Sequence, residues 1–322
     1  MKKLFFFAAV ASVMLTACTS ENEEAKVLDS SPLRLSTQNI TGLTRAGQSV
    51  QLAQFAANEN VGIFLAEDGG SGAVTTGTNV TTYDQPLTYV TAIDGETCNL
   101  TNVQYWPTDG NGLYIYGVYP LAAATAAAAY DATSVEFTVQ TDQSDDDDYK
   151  LSDLMTGVPT AGNPVARQKA AVPMTFTHLL TKIDINLSPG LDFVANDMAG
   201  ATVSILNTKP TATFSVQSTS ATVVSTSSTT SITAGTGAAT SAIIVPQKLE
   251  HSTNFIQVTI GGGNYIYKLP ETTDAEDNST TFAAKTKYTY NLTVNKTGLV
   301  LTSSTITAWE EGGSTSGTAE LQ

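Results

Sequence analysis

Short runs of β-branched and aromatic residues recur along most of the chain, with Gly, Asn, Asp and Pro between them. Several runs alternate apolar with polar positions, as in KIDINL at residues 182–187, where every second side chain is apolar. A period of two predicts a strand with one buried face and one wet face. Because turn residues separate many short strands, the pattern predicts an all-β fold of the β-sandwich type.

The helical signal is weak, and we expect at most one or two short helices. The alanine-rich residues 121–130 have high helix propensity, and residues 50–58 are a second candidate. The 322 residues give room for two domains of ordinary size. A boundary near residues 162–171 is favoured, because prolines flank this stretch and strand patterns resume on both sides.

The first residues have the pattern of an exported lipoprotein. Two lysines precede an apolar run over residues 4–17, which is shorter than the about 20 residues needed to span a bilayer. A basic head and a short apolar run ending in small residues are typical of a signal peptide, here residues 1–17. The sequence LTAC then matches the bacterial lipobox and predicts acylation of Cys18. The alternative is an ordinary signal peptide in which this cysteine occurs by chance.

The charge and the cysteine count narrow the class of protein. A net charge of −15, from 30 acidic and 15 basic residues, argues against binding of nucleic acid, which needs a basic face. If Cys18 is acylated, the second cysteine, Cys98, has no partner, so no disulfide framework holds the fold. A buried, inert thiol is the favoured interpretation of Cys98 over a reactive one.

We expect no enzyme activity, no cofactor and no metal site. His178 and His251 are the two histidines, and neither has a second ligand at metal spacing. No nucleophile elbow, P-loop, zinc-protease or dinucleotide motif is present. A paired-carboxylate glycosidase stays open as an alternative, although the two tryptophans, Trp106 and Trp309, are few for a carbohydrate site and are predicted in the core.

Four consecutive aspartates at residues 145–148 end a polar stretch, residues 141–148, that we expect to be a solvated loop. Calcium binding is the alternative for this run. The run lacks, however, the alternate ligand spacing and the central glycine of a compact calcium loop.

The lipobox is the first of several motifs that cover nearly the whole chain. They are LTAC at 15–18, TRAG at 44–47, YWP at 105–107, YIYGVYP at 114–120, DLMTG at 153–157, FTHLLTKI at 176–183, YTYNLTV at 288–294 and ITAW at 306–309. In this order they resemble the fimbrillin family, the type V pilins of gut and oral Gram-negative anaerobes.

The resemblance implies two tandem transthyretin-like β-sandwich domains, which the boundary above would place at residues 46–170 and 171–322. It implies that residues 18–45 are a lipidated propeptide with the first strand, removed by a trypsin-like protease between Arg45 and Ala46. The opened groove then takes a strand from the next subunit, and a fimbria that supports cell adhesion grows.

The partners implied are other copies of the chain or related pilins and a host or bacterial surface receptor. The precursor would be anchored in the outer membrane by its lipid, and the processed protein would lie in an extracellular fimbria.

The chain has three arginines, which compete as processing sites. Arg45 lies in a small, polar stretch where a protease can bind an extended chain. Arg34 stands between two leucines inside the predicted first strand, so we expect it to be protected. Arg167 lies in the predicted linker and is the competing site.

The C-terminal end supplies a candidate donor strand. A polar, glycine-rich stretch follows Trp309, and in the last residues Ala319 and Leu321 alternate with polar positions. Whether residues 299–309 move with this tail stays open, as does a disordered terminus. Two other functions also stay open, a tip adhesin of the same fimbria and a lipid-anchored surface protein that binds glycans.

Overall fold

The computed structural model describes residues 32–40, 55, 59–68, 87–91, 97–100, 104–107, 110–271 and 278–309. Its strands are β1 Leu35–Ile40, β2 Asn60–Glu67, β3 Leu87–Thr91, β4 Thr97–Leu100, β5 Leu113–Tyr119, β6 Val135–Thr138, β7 Met155–Pro159, β8 Val172–His178, β9 Thr181–Pro189, β10 Thr202–Thr208, β11 Thr211–Phe214, β12 Ala221–Val223, β13 Thr230–Thr236, β14 Ala239–Ile244, β15 Gln247–Glu250, β16 Asn254–Ile260, β17 Gly263–Lys268, β18 Ser279–Phe282, β19 Thr286–Asn295 and β20 Gly298–Ala308. The described helices are α1 Leu121–Ala127, α2 Asp146–Leu151 and α3 Ala195–Ala199. The predicted all-β class is confirmed, with three short described helices where at most two were expected.

Seven strands of the N-terminal half form a closed barrel in the order β1-β4-β3-β2-β5-β7-β8. Neighbouring strands pair antiparallel throughout, except that β1 and β8 run parallel. β1 pairs with β4 on one side and with β8 on the other, so this strand closes the barrel. Closure removes the exposed sheet edges that an open sheet would present to solvent.

The C-terminal half contains two four-stranded sheets, β14-β9-β19-β20 and β13-β10-β16-β17. Apolar side chains of both sheets belong to one large core cluster, which includes Ile183 of β9 and Val203 of β10. The alternation predicted for residues 182–187 is present, but Lys182 departs from it. Its side chain is fully buried, and its Nζ lies 3.6 Å from Oδ1 of Asp184. Burial lowers the pKa of Lys182, and the Asp184 charge opposes that shift.

The strands on either side of residue 170, the predicted domain boundary, pair with each other in the barrel. β8, which follows that position, completes the barrel, and β9 begins the next sheet after Leu179 and Leu180. In the other direction, β6 leaves the N-terminal half and pairs antiparallel with β11. The sequence could not show this exchange, because strand patterns report burial and not which edge a strand joins. The two halves therefore share chain segments.

The helix expected over residues 121–130 is α1, which ends three residues earlier. Pro120 stands at its N-cap, and Ala128 adopts the left-handed conformation at its C-cap. Ala123, Ala124 and Ala127 are buried where α1 packs across β2 and β5. Of the second candidate helix, residues 50–58, the structure describes Phe55.

The expected loop over residues 141–148 is instead ordered at both ends. Asp145 is the N-cap of α2, and its side chain accepts a hydrogen bond from the backbone N–H of Asp148 at 2.9 Å. Three aspartates then occupy the first turn, where the helix dipole favours negative charge. The prediction of a wholly solvated loop was wrong, because clustered aspartates repel one another but also cap a helix well.

The described core consists of two clusters of buried side chains. One lies inside the barrel and includes Leu35, Trp106 and Phe176. The other fills the C-terminal half and extends under α1 to the outer side of β2 and β5. Trp106 and Trp309 are both buried, as predicted. Within the described ranges, no helix has the length and apolar character needed to cross a membrane.

Gln143 joins the two halves through a fully buried side chain. Its Oε1 accepts from the backbone N–H of Ile243 at 2.8 Å, and its Nε2 donates to the carbonyl of Ile243 at 2.9 Å. The amide thus pairs with β14 as a neighbouring strand would. Nε2 also donates to the carbonyl of Gln140 at 3.0 Å.

We predict that Gln143→Leu lowers the free energy of unfolding by about 2–4 kcal/mol, since it leaves buried backbone groups of Ile243 without partners. Urea denaturation followed by circular dichroism measures the change. Gln140→Leu is the matched control, because that side chain is exposed. Equal stabilities of the two variants would contradict the assigned role.

Candidate functional site: the closing strand and its groove

The closing strand β1 lies in a groove between β4 and β8. Leu35 stands opposite Cys98 of β4 and opposite Val172 of β8. Just before the strand, the N–H of Leu33 donates to the carbonyl of Gln104 at 2.7 Å, and the carbonyl of Arg34 accepts from Val172 at 2.8 Å. The backbone of this segment is therefore bonded on both sides.

Two leucine side chains fix β1 to the interior of the barrel. Leu33 is 4% exposed and Leu35 is 1% exposed. Both belong to the barrel cluster, together with Trp106 and Met174. Burying each leucine contributes about 1.5–3 kcal/mol, so the strand holds by its side chains as well as by its backbone. A chain without Leu33 and β1 would have two unpaired sheet edges and two empty apolar pockets, which we call the seats of Leu33 and Leu35.

The floor of the groove depends on two glycines that face each other in β5 and β7. Gly117 pairs with Gly157, and the ring of Phe176 in β8 lies over both. A Cβ atom at Gly117 would approach the ring to 2.5 Å, and one at Gly157 would approach it to 2.7 Å. Both positions therefore require glycine, so that a phenylalanine next to β1 can fill the barrel.

Phe55, which follows the predicted cleavage site in the sequence, packs against the barrel. Its ring lies 5.1 Å from the rings of both Tyr119 and Phe176, and its side chain is buried. Nearby, the hydroxyl of Tyr119 donates to Glu59 at 3.2 Å, and Glu59 pairs with Lys150 at 3.3 Å. Burial raises the pKa of Tyr119, and the charge of Glu59 adds to the rise. These contacts are made by residues outside β1.

Most of the predicted site residues lie outside the described residues. This applies to Cys18, Arg45, Ala46, Ala319 and Leu321. The described Arg34 has an exposed side chain, but its backbone is bonded between two buried leucines. Cys98 lies in β4 opposite Leu35.

The histidines take part in structural contacts. His178 Nδ1 lies 2.7 Å from Asp153 Oδ1, and His251 Nδ1 lies 3.0 Å from Asn278 Oδ1. The His178–Asp153 pair has the spacing of a catalytic dyad, but both side chains are fully buried and Trp309 covers the imidazole. A substrate has no access to it. In the described part of the chain, no group of three or more His, Cys, Asp and Glu residues is placed to hold a metal ion.

The motifs are visible in the sequence, but the contacts between them are not. Gly117, Gly157 and Phe176 come from three different motifs and form one contact. Asp153, His178 and Trp309 form another. The order of the motifs was visible along the chain, whereas these contacts join residues far apart in sequence.

We predict that Gly157→Ala lowers the free energy of unfolding by about 1–3 kcal/mol, because the added methyl group overpacks the site against the Phe176 ring. Thermal and urea denaturation measure the loss, and Phe176→Leu in the same chain should recover part of it. Gly200→Ala is the control, since its added Cβ meets its nearest atom at an ordinary 3.9 Å. Losses that simply add in the double variant would argue against a direct clash.

Comparison with known proteins gives one consistent result. A family model described as fimbrillin-like matches residues 44–309. A curated relative from Bacteroides uniformis, “Putative fimbrium subunit Fim1C”, is 27% identical over 328 residues, covering 99% of this chain and 99% of that protein.

Two crystal structures, each described as a putative cell adhesion protein, share the fold. The structure from Bacteroides uniformis is 24% identical with a TM-score of 0.59, covering 86% of this chain and 98% of the other. The structure from Bacteroides ovatus is 16% identical with a TM-score of 0.65, covering 88% and 99%.

Proposed function

Because this chain belongs to the fimbrillin-like family, we propose that it is a structural subunit of a surface fimbria, assembled from copies of itself or of related pilins. The observation that carries the proposal is the position of β1. This strand closes the barrel, lies near the N-terminus and precedes Arg45, the arginine that stands in a small, polar stretch of the sequence.

The proposed precursor is exported as a lipoprotein, anchored in the outer membrane through Cys18, and cleaved between Arg45 and Ala46. Two features support this site over the other arginines. The backbone of Arg34 is hydrogen-bonded next to β1 and cannot enter a protease cleft without unfolding the strand. Arg45 follows the end of β1 by five residues, so a cut there would separate the whole strand from the barrel.

Loss of β1 would leave a groove that another strand can fill. The edges of β4 and β8 would lack partners, and the seats of Leu33 and Leu35 would open to water. A strand from another subunit relieves both costs by β-augmentation, through main-chain bonds and alternate side chains in pockets. Phe55, which lies after the cut, would keep its contacts with Tyr119 and Phe176 inside the barrel.

The proposed donor is the C-terminal tail of a neighbouring subunit. Leu33 and Leu35 stand two residues apart in the groove, and Ala319 and Leu321 have the same spacing. In an extended strand this spacing places both side chains on one face. The incoming tail would therefore present one large and one small apolar group to the seats that β1 vacates.

The shaft subunit is favoured over the alternatives. A glycan-binding lipoprotein would be expected to present exposed aromatic rings, and among the described residues Tyr105 is the large aromatic side chain that is at least half exposed. A tip adhesin of the same fimbria shares the groove but need not donate a strand. It is the second candidate, and the tail experiment below separates the two.

We predict that Arg45→Ala leaves uncleaved precursor and blocks fimbria formation, because β1 then stays in its groove. Gel ladders of unheated surface extracts measure polymer length, and N-terminal sequencing of sheared fimbriae from the unmodified strain should start at Ala46. Arg167→Ala is the matched control and should polymerise normally. Fimbriae of normal length from the Arg45 variant would contradict the cleavage model.

We predict that deletion of residues 313–322 yields a cleaved monomer that cannot extend a fibre. The point variant Leu321→Asp should act in the same way, since a carboxylate in an apolar seat is strongly unfavourable. Glu320→Gln changes the opposite face of the proposed strand and serves as the control. A ladder of normal length from the truncated chain would rule out donation by the tail and leave the tip role.

A further inference from the structure

We propose that Trp309 is the fixed root of the C-terminal tail, so that residues up to Trp309 stay with their own subunit and the residues after it are donated. The proposal rests on the fimbrial function proposed above. It decides whether residues 299–309 move with the tail, which the sequence left open.

Trp309 occupies a fully buried seat. Its indole ring stacks on the imidazole of His178, with ring centroids 4.1 Å apart and planes inclined by 8°. His178 is held at the edge of its ring by Asp153, whose Oδ1 lies 2.7 Å from Nδ1. The backbone N–H of Trp309 donates to the carbonyl of Lys285 at 2.6 Å. The residue is therefore fixed by side chain and by main chain.

The seat joins the end of β20 to the barrel. His178 is the last residue of β8, the strand against which β1 lies, and Asp153 precedes β7 of the same barrel. The N–H of Lys285 donates in turn to the carbonyl of Leu180, directly after β8. Trp309 thus connects the end of the C-terminal sheet to the strand that borders the groove.

The contacts of β20 with the rest of the protein support a root at the C-terminal end of this strand. β20 pairs with β19 at ten positions, from Thr286↔Ala308 to Asn295↔Gly298. Along the strand every side chain is at least partly exposed, so its apolar hold on the core is modest. Trp309, one residue beyond, is the buried group. Donation of β20 would break the whole ladder, leave β19 as an unpaired edge and empty the Trp309 seat.

Donation of the tail alone breaks none of these contacts. A tail that pulls on a rooted tryptophan transmits tension into two elements of its own subunit, the β19–β20 ladder and the end of β8. This arrangement fits a fibre in which each subunit must stay folded while its end is bound elsewhere.

A disulfide between β19 and β20 tests the root. Thr289 and Thr305 are direct partners in the antiparallel ladder, and opposed Cα atoms in such pairs are about 4.5–5.5 Å apart, within the range for a disulfide. The full-length chain would carry Thr289→Cys and Thr305→Cys in a Cys98→Ala background. We expect the oxidised protein to form the same polymer ladder as the reduced protein and as the Thr305→Cys control. Ladders that appear after reduction but not in the oxidised state would overturn the proposal.

Tryptophan fluorescence gives an independent readout. In a Trp106→Phe chain, Trp309 is the remaining tryptophan, and we expect its emission maximum to be unchanged between cleaved monomer and polymer. A red shift on polymerisation would show that Trp309 leaves its seat and would overturn the root. Failure of the unmodified, Arg45-cleaved chain to polymerise is a different result, which would remove the proposed function itself.

Discussion

The barrel of this protein is closed by one short strand, and most of the N-terminal half depends on that closure. β1 forms hydrogen bonds with two neighbouring strands, and Leu35 in it and Leu33 just before it are buried in the interior. Without it, the sheet would have two free edges around an apolar core, a state that water strongly disfavours. The closed barrel therefore requires a strand in this position.

The rest of the barrel is built so that the closing strand is not its sole support. Phe55 and Tyr119 pack the interior next to Phe176, and Gly117 and Gly157 give that ring its space. These contacts are made by residues outside β1. In the fimbrial function proposed above, this packing would remain as the floor of the groove, and an incoming strand would supply its own backbone and a few apolar side chains.

The two halves of the molecule are tied together by exchanged segments. β6 leaves the N-terminal half to pair with β11, and Gln143 bonds to Ile243 in β14. In return, Trp309 at the end of the C-terminal sheet stacks on His178 at the end of β8. The first tie is a strand pairing, the second a buried polar contact and the third a buried aromatic stack. A subunit with such ties is suited to bear load along a fibre as one body.

Much of the architecture could be read from the residues alone, because strand period, turn residues and burial are local properties of a sequence. The all-β class, the short helix after Pro120 and the buried tryptophans were predicted in this way. The motif order further indicated the family before any contact was known. The processing and lipidation residues stay predictions, since they lie outside the described residues.

The pairing of distant segments was not readable in the same way. β6 joins β11, which is remote from it in the chain. Lys182 is buried beside Asp184, and the aspartate run caps α2. Both of these depend on the backbone geometry and on the surrounding fold. Local patterns state which face of a strand is apolar, but not which edge it meets. Edge choice, and with it the closing position of β1 and the seat of Trp309, follows from how the whole chain satisfies its backbone and fills its core.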